Sequence, residues 1–496
     1  MKLGRNLLAG LTNSVWSALI SLAVVPLYLK YLGIEAYGLI GFFATTQALL
    51  QLLDMGLTPT INREVARCSA SGNMREARNL LHTLAVVYWV TAVVIALLIM
   101  VFAPLIASRW LQSSHISNGT LTSALMLMGL VIACRWPTGV YQGALMGMQR
   151  LAVSSKVNIA LNTLASLGAV AVLAWVAPTI QAFFIWQAGV ALLGAATMRQ
   201  AAWNVIGREG AVRFDVGGLK RIWRFSVGMS GVAISGIVLM QLDKVLLSRM
   251  LSLEDFGRYM LATFVSSGLL VILTPVFNVI YPRLSSLVVT GDTVEMIALY
   301  RSGTRFLSTV LFPIVVVAAA FSTDIIYAWT RNLDLATTTA PIASLLLLGT
   351  GVNGVMIFPY ALQLAYGRTK LSLAIIISLI AIYMPLTIYL VLSFGAIGGA
   401  LAWLSLNLLY LVYGAWMTHR FLLKGIGPAW LGRDVVAPLA LSLTTVLTGW
   451  QLGHVEGAYL ANLFLGGALV LFAMSANIFL FQRQSLKKLW QQYQAT

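Results

Sequence analysis

Charged residues are scarce in this chain of 496 residues. Only 9% of the residues are charged, and Asp and Glu together number 15. A soluble domain carries about 25% charged residues, so this chain has too few to cover a surface that faces water. Apolar residues make up 59% of the sequence and recur along nearly all of it. The composition therefore predicts one lipid-embedded body rather than several soluble domains.

The chain also lacks the residue patterns of common catalytic and metal sites. Its two cysteines, Cys68 and Cys134, give neither a disulfide framework nor a metal-binding spacing, and its four histidines are scattered. The sequence contains no HExxH motif, phosphate-binding loop or nucleophile elbow. We therefore predict no catalytic residue, no metal and no cofactor, and the missing nucleotide loop argues against direct use of ATP.

Long apolar segments dominate what remains. A helix needs about 20 apolar residues to cross the hydrocarbon core. Fourteen segments qualify: 7–29, 37–57, 80–107, 120–147, 157–177, 180–198, 226–248, 257–281, 306–329, 337–362, 371–393, 397–417, 434–451 and 459–481. The first is too long for the apolar core of a signal peptide and lacks a cleavage site, so we read it as a retained helix. The sequence thus predicts an all-α polytopic membrane protein with about 14 transmembrane helices.

The basic residues indicate how these helices are oriented. If the N-terminus is cytoplasmic, the inner loops hold 25 of the 32 Lys and Arg residues and the outer ends hold five. Positively charged loops remain in the cytoplasm, so this split predicts that both termini lie inside. It also explains the net charge of +17 as a topology signal, and we expect no nucleic-acid partner.

An internal repeat divides the chain. A shift of 219 residues places Leu32–Gly38 on Leu251–Gly257, Ile61 on Ile280 and Glu76 on Glu295. Six predicted helices separate the copies, which is the arrangement of parallel repeats with a substrate route between the halves. We predict a six-helix lobe with a cytoplasmic connector at 1–225, a second six-helix lobe at 226–420 and an appended two-helix hairpin at 421–496.

Several short motifs carry a resemblance to a known family. The stretches are Tyr31–Gly38, Leu52-Leu-Asp-Met-Gly-Leu57, Ile61-Asn-Arg-Glu-Val-Ala66, Gly143–Arg150, and Gln241–Ser248 followed by Glu254–Gly257. Together they resemble the polysaccharide transporter family of bacterial exporters, which includes the Wzx-type flippases. The similarity extends over residues 5–420, and it identifies the family far better than the substrate.

The resemblance implies both a fold and an activity. The fold is that of the multidrug/oligosaccharidyl-lipid/polysaccharide exporter superfamily, with two six-helix lobes around a central cavity. The activity is transfer of an undecaprenyl-pyrophosphate-linked oligosaccharide, a unit of O-antigen, capsule or exopolysaccharide, from the inner to the outer leaflet of the bacterial inner membrane. We expect alternating access, coupling to an H⁺ or Na⁺ gradient, and a polysaccharide polymerase and chain-length regulator as candidate partners.

Three other functions are alternatives. A multidrug or cation antiporter of the same superfamily would need an acidic and apolar cavity. A lipid II flippase would share the fold, but no basic residue lies between Arg5 and Lys30, where that group carries an arginine motif. A membrane-embedded glycosyltransferase or polymerase would need catalytic acids and a large outer loop, and the longest outer loop, at 108–119, contains neither Asp nor Glu.

Arg135 is the leading candidate for a substrate ligand. It lies deep in the fourth apolar segment, just before Pro137. An arginine at the centre of a membrane helix costs about 2.5–3.5 kcal/mol on insertion scales, so it usually faces a partner or water. It could bind pyrophosphate, for which a guanidinium is suited. The alternatives are a structural ion pair, for example with Asp54, or extension of the side chain toward the headgroups.

The remaining candidates have structural alternatives of their own. Asp54 and Asp243 are candidates for ion coupling. The other candidates for contact with the anionic head or the glycan are Arg63, Lys244, Arg301, Arg305, Asn158 and Asn278. The charged ones could equally be helix-end ion pairs or topology signals, and the amides could hydrogen-bond neighbouring helices. Because Asp243 and Lys244 are adjacent and point about 100° apart on a helix, we do not expect them to need each other as partners.

Overall fold

Almost all of the chain that the computed structural model describes is helical. The described residues are 2–54, 56–207 and 212–482, excluding the side chains of residues 2–5, 7 and 221–233. Within these ranges the structure has no β-strand, and one isolated bridge joins Gln112 to Ser252. Helices suit a chain of this composition, because a helix satisfies its backbone hydrogen bonds internally where lipid offers no partners.

The chain divides into two compact units, Met1–Gly257 and Arg258–Thr496. The helices that lie in or begin in the first unit are α1 (Lys2–Leu50), α2 (Leu57–Ala70), α3 (Met74–Arg109), α4 (Asn118–Arg135), α5 (Thr138–Gly147), α6 (Leu151–Trp175), α7 (Ile180–Ile206), α8 (Val216–Met250) and α9 (Leu253–Ser267). A short 3-10 turn, Gln51–Asp54, joins α1 to α2.

The second unit continues with α10 (Leu270–Thr290), α11 (Thr293–Ala320), α12 (Ser322–Thr330), α13 (Leu333–Val355), α14 (Ile357–Ala365), α15 (Thr369–Leu409), α16 (Ala415–Leu422), α17 (Gly427–Ala429), α18 (Ala437–Gly453) and α19 (Tyr459–Asn477). Three π-helical segments interrupt it, at Tyr410–Gly414, Trp430–Val436 and Ile478–Gln482. The predicted C-terminal hairpin corresponds to α18 and α19, which pack on each other and on α11.

Eleven helices in the described residues are long and apolar enough to cross a membrane, so the chain is a multi-pass membrane protein. Two of them, Leu8–Asp54 and Thr369–Leu422, each contain two predicted segments, which meet where Gly33 and Gly395 leave the helical conformation. The eleven candidates overlap thirteen of the fourteen predicted segments. The other segment, 226–248, falls in α8, where side chains 221–233 lie outside the description. The count of fourteen and the inward orientation of both termini stay predictions.

The two repeats have the same local structure at equivalent positions. Gly72 and Gly291 both have positive φ, at 73° and 74°. The next residues, Asn73 and Asp292, cap α3 and α11 by accepting the backbone N–H of Glu76 and Glu295, respectively. Each glutamate also pairs with an arginine, Arg67 in the first copy and Arg283 in the second. The repeat that the sequence indicates is thus visible in the helix caps, where a side-chain acceptor satisfies an otherwise unpaired N–H.

Glycines on α5 bring that helix close to α2. Gly139, Gly143 and Gly147 are spaced four residues apart and face α2. A β-carbon on Gly143 would lie 2.8 Å from the carbonyl oxygen of Thr58, and one on Gly147 would lie 2.9 Å from Cβ of Val65. Small residues at this spacing allow close packing of membrane helices. This packing places the start of α2 beside the junction of α4 and α5, where the candidate site lies.

Candidate functional site

A cavity of about 830 Å³ lies within the first unit. A pocket of this size is within the range of small-molecule sites. Its wall combines apolar side chains with an unusual number of amides and hydroxyls. The polar residues that line it are Gln47, Gln51, Asp54, Thr58, Thr60, Arg63, Tyr88, Arg135, Trp136, Thr138, Gln142, Asn158 and Asn162. Four of the predicted site residues therefore share one cavity, namely Asp54, Arg63, Arg135 and Asn158.

Arg135 lies at the last turn of α4, where the helix breaks before α5. Its Nη1 donates to Oε1 of Gln47 at 3.2 Å, and its Nη2 donates to Oε1 of Gln187 at 2.8 Å. The guanidinium carbon lies 5.5 Å from the centre of the Phe43 ring. Within the described residues Arg135 forms no ion pair with a carboxylate. Its positive charge is therefore held by neutral groups on the wall of the cavity.

Asp54 does not pair with Arg135 in the described part of the chain, so that alternative interpretation of Arg135 is wrong. Instead, the Asp54 carboxylate accepts the hydroxyl of Thr58 at 2.9 Å, the backbone N–H of Thr58 at 3.3 Å and the phenol of Tyr88. Tyr88 is buried at 2% exposure, and its ring packs near that of Trp136. The cavity thus has a cationic residue and a hydrogen-bonded carboxylate as separate elements of its wall.

The remaining polar lining is dominated by amides. Gln142 on α5 donates to the side-chain oxygen of Asn158 on α6 at 3.1 Å. One turn further along α6, Asn162 donates to the hydroxyl of Ser17 on α1 at 2.9 Å. Arg63 on α2 is exposed and reaches the same cavity. Among the lining residues the charged ones are two arginines and one aspartate, so the wall carries a net positive charge.

The repeat does not reproduce this polar set in the second half. A shift of 219 residues places Arg135 on Gly354, Asp54 on Leu273 and Tyr88 on Leu307. Leu273 and Leu307 belong to the buried apolar core of the second unit. The polar cavity is therefore a property of the first unit that its sequence counterpart does not share.

Lys244 and Asp243 lie on α8 and are bonded to each other. The ammonium of Lys244 lies 3.1 Å from both carboxylate oxygens of Asp243, which is buried at 1% exposure. The same ammonium donates to the carbonyl of Met240 at 2.9 Å. Our expectation that these neighbours need not pair was wrong, because the flexible lysine side chain reaches back over one residue. Neither lines the described cavity.

The candidates in the second unit lie in different surroundings. Nε of Arg301 lies 2.7 Å from one oxygen of Asp434, and Nη2 of Arg305 lies 2.6 Å from the other. Asp434 is fully buried in the π-helical segment that precedes α18, so the two arginines fasten this segment to α11. Asn278 is exposed on α10. A role for these three residues in substrate binding stays a prediction.

Sequence reasoning missed several of the residues that shape these sites. Tyr88 and Asp434 were not identified, and Gln47 and Gln187 were noted only as amides inside helices. A signal was present for Asp434, since it is an isolated acid at the edge of an apolar segment and such residues normally have a partner. Tyr88 gave no such signal, because tyrosine is common in membrane helices and at their ends.

Comparison with known proteins gives consistent matches. A Shigella flexneri protein named "Putative O-antigen transporter" is 20% identical over 402 residues, which cover 79% of this chain and 93% of that protein. A solved structure of lipid II flippase MurJ in an inward closed conformation matches with a TM-score of 0.71 and 15% identity, over 95% of this chain and 99% of that one.

A second solved structure is an inward-facing multidrug resistance transporter of the MATE family in the MOP superfamily. It matches with a TM-score of 0.67 and 14% identity, over 84% of this chain and 96% of that one. At these identities the two structures establish the MOP-type fold of the chain and nothing finer. The family model described as "Polysaccharide biosynthesis protein" matches residues 3–288, more than half of the sequence. The chain therefore belongs to the polysaccharide biosynthesis protein family.

Proposed function

We propose that the protein is a flippase of the bacterial inner membrane that moves undecaprenyl-pyrophosphate-linked oligosaccharide units of O-antigen, capsule or exopolysaccharide from the inner to the outer leaflet. Membership of the polysaccharide biosynthesis family and similarity to a protein named as an O-antigen transporter support this substrate class. The likeness to MOP-superfamily structures supports alternating access as the mechanism.

The observation that carries the proposal is the state of Arg135. A lipid-linked glycan has an apolar tail that can stay in lipid and a charged pyrophosphate that cannot. A positive charge deep in a membrane segment is costly unless it meets an anion or water. Arg135 is held by two neutral amides at the wall of a polar cavity, so its charge is available to an anionic ligand. A guanidinium can bind two phosphate oxygens at once.

The rest of the wall suits the glycan. Sugar hydroxyls both donate and accept hydrogen bonds, and carboxamides offer both kinds of group. Gln51, Gln142, Asn158 and Asn162 supply such amides around the same cavity as Arg135. We assign Arg135 and Arg63 to the pyrophosphate and the amides, including Asn158, to the first sugars.

The sign of the wall charge disfavours a cation antiporter. A site for cationic drugs should carry an excess of carboxylates, whereas two arginines and one aspartate line this cavity. The remaining carboxylate, Asp54, is our candidate for coupling to an H⁺ or Na⁺ gradient, because it faces the cavity and accepts only neutral donors among its described contacts. Asp243 is a weaker candidate, since Lys244 already shares its carboxylate.

Glycan display in cells tests the proposal. Arg135→Ala should abolish surface display while the protein still inserts in normal amounts, and lipid-linked units should accumulate in the inner leaflet. Arg199→Ala is the matched control, because Arg199 is exposed on α7 of the same unit and does not line the cavity. Normal display in the Arg135 variant would contradict the proposal.

A further inference from the structure

Two glutamines from different helices hold the guanidinium of Arg135. Gln47 lies on α1 and Gln187 on α7, and each offers its carbonyl oxygen to a different terminal nitrogen of the arginine, at 3.2 and 2.8 Å. Contacts to both terminal nitrogens fix the plane of the guanidinium as well as its position. Each terminal nitrogen keeps a second N–H, and Nε keeps its own, so donors remain for a ligand.

The orientation of Gln187 is itself fixed. Its side-chain nitrogen donates to the backbone carbonyl of Ala165 on α6 at 3.3 Å, so its carbonyl oxygen must face Arg135. Gln187 is buried at 6% exposure and does not line the cavity. The side chain therefore supports the arginine from behind without reaching a ligand in the cavity.

An aromatic wall completes the support. The ring of Phe43 lies 5.5 Å from the guanidinium carbon, and Phe43 makes an edge contact with Phe184, with ring centres 5.5 Å apart. A cation beside an aromatic ring is stabilised without being neutralised. All the described side-chain contacts of Arg135 thus keep its charge intact.

We infer that Gln187 and Gln47 are positioning residues that aim the guanidinium of Arg135 and, because they are neutral, make the site selective for an anionic pyrophosphate. A carboxylate at either position would form a charge-assisted hydrogen bond with the arginine and cancel the charge that the ligand needs. This inference rests on the proposed function, because it assigns Arg135 to the anionic head. It adds which side chains determine the strength of that site.

The test measures binding of farnesyl pyrophosphate to the purified full-length protein in lipid nanodiscs. Gln187→Glu keeps the size of the side chain and adds a negative charge 2.8 Å from the guanidinium nitrogen. We expect affinity to fall about tenfold or more at pH 8, as for Arg135→Ala. Gln187→Met removes the acceptor without adding charge, and we expect a smaller loss.

The pH dependence separates positioning from a general structural defect. In the Gln187→Glu variant, the introduced carboxyl group becomes neutral when it is protonated, and it can then donate to the Ala165 carbonyl as the amide does. The affinity of this variant should therefore recover relative to wild type as pH falls from 8 to 5. Gln200→Glu is the control, because it adds the same charge to an exposed position of α7. We expect it to bind the probe as wild type does.

The outcomes distinguish the two claims. Loss of binding in Arg135→Ala together with wild-type binding in both Gln187 variants would overturn the positioning role and leave the proposed function standing. Wild-type binding in Arg135→Ala would overturn the assignment of the site, and with it both claims. Loss in Gln187→Glu without recovery at low pH would overturn the charge argument.

Discussion

Gly38 and Gly257 meet backbone to backbone, with no side chain between them. A β-carbon on Gly38 would overlap the carbonyl oxygen of Leu253 and lie 3.1 Å from the nitrogen of Gly257. A β-carbon on Gly257 would overlap the carbonyl oxygen of Ile34 and lie 3.2 Å from the nitrogen of Gly38. The shift of 219 residues relates Ile34 to Leu253 and Gly38 to Gly257. The contact is therefore reciprocal, as in a two-fold interface.

Alanine at either glycine should destabilise the protein. The added methyl group must displace backbone, and overpacking of this kind costs about 1–3 kcal/mol. Thermal unfolding in detergent should show a lower midpoint for Gly38→Ala and for Gly257→Ala. Gly189→Ala on α7 is the control, because a β-carbon there would meet nothing within 4 Å. Midpoints equal to that of the control would show that the crossing tolerates a side chain.

Cysteine labelling in intact cells tests the predicted orientation. Ser114 and Gly217 are both exposed in the structure, and we predict that they lie on opposite sides of the membrane. An impermeant maleimide should label Ser114→Cys from outside, and Gly217→Cys only after the cells are opened. Background from the native thiols should be low, because Cys68 and Cys134 are buried and burial raises the pKa of the Cys68 thiol, which reduces its reactive thiolate form. The reverse labelling pattern would invert the proposed topology.

Removing the charge of Asp434 should destabilise the second unit. Asp434→Asn would leave the guanidiniums of Arg301 and Arg305 facing a neutral group, and breaking a buried ion pair in this way costs about 3–5 kcal/mol. Replacing all three residues by Met or Leu should recover much of the loss, since a buried ionic cluster often exchanges for apolar packing at little cost. Asp334→Asn, at an exposed position of α13, should leave the unfolding midpoint unchanged. An equally unaffected Asp434 variant would mean that the cluster does not stabilise this unit.

Asp54→Asn should separate transport coupling from substrate binding. The substitution removes the carboxylate that faces the cavity but leaves Arg135 and its two glutamines in place. In proteoliposomes we expect that an imposed ion gradient no longer accelerates flipping, while farnesyl pyrophosphate still binds with wild-type or higher affinity. A gradient response that survives in this variant would move the coupling site elsewhere.

Sequence reasoning was most reliable where one physical constraint acts alone. The length and polarity of the apolar segments are dictated by the bilayer, so the helices could be placed to within several residues. The cost of burying charge singled out Arg135, which does line a polar cavity. The repeat was readable because the turn at Leu32–Gly38 and the cap at Asn73–Glu76 need particular residues, and the second copy keeps them or close substitutes.

Partner choice could not be predicted from the sequence. Arg135 is bonded to residues 88 and 52 positions away, and Arg301 to one 133 positions away. Nothing in the local pattern says which of many buried amides or acids will meet a given arginine. Helical geometry also misled us at Asp243, because it fixes the direction of a Cα–Cβ bond but not the reach of a lysine.

The most direct test of the central claim is flipping of a purified undecaprenyl-pyrophosphate-linked oligosaccharide by the reconstituted protein. The wild type should carry the glycan across the vesicle membrane, Arg135→Ala should not, and Arg135→Lys should do so slowly, because an ammonium keeps the charge but loses the two-point grip on phosphate. Flipping by Arg135→Ala at the wild-type rate would contradict the account.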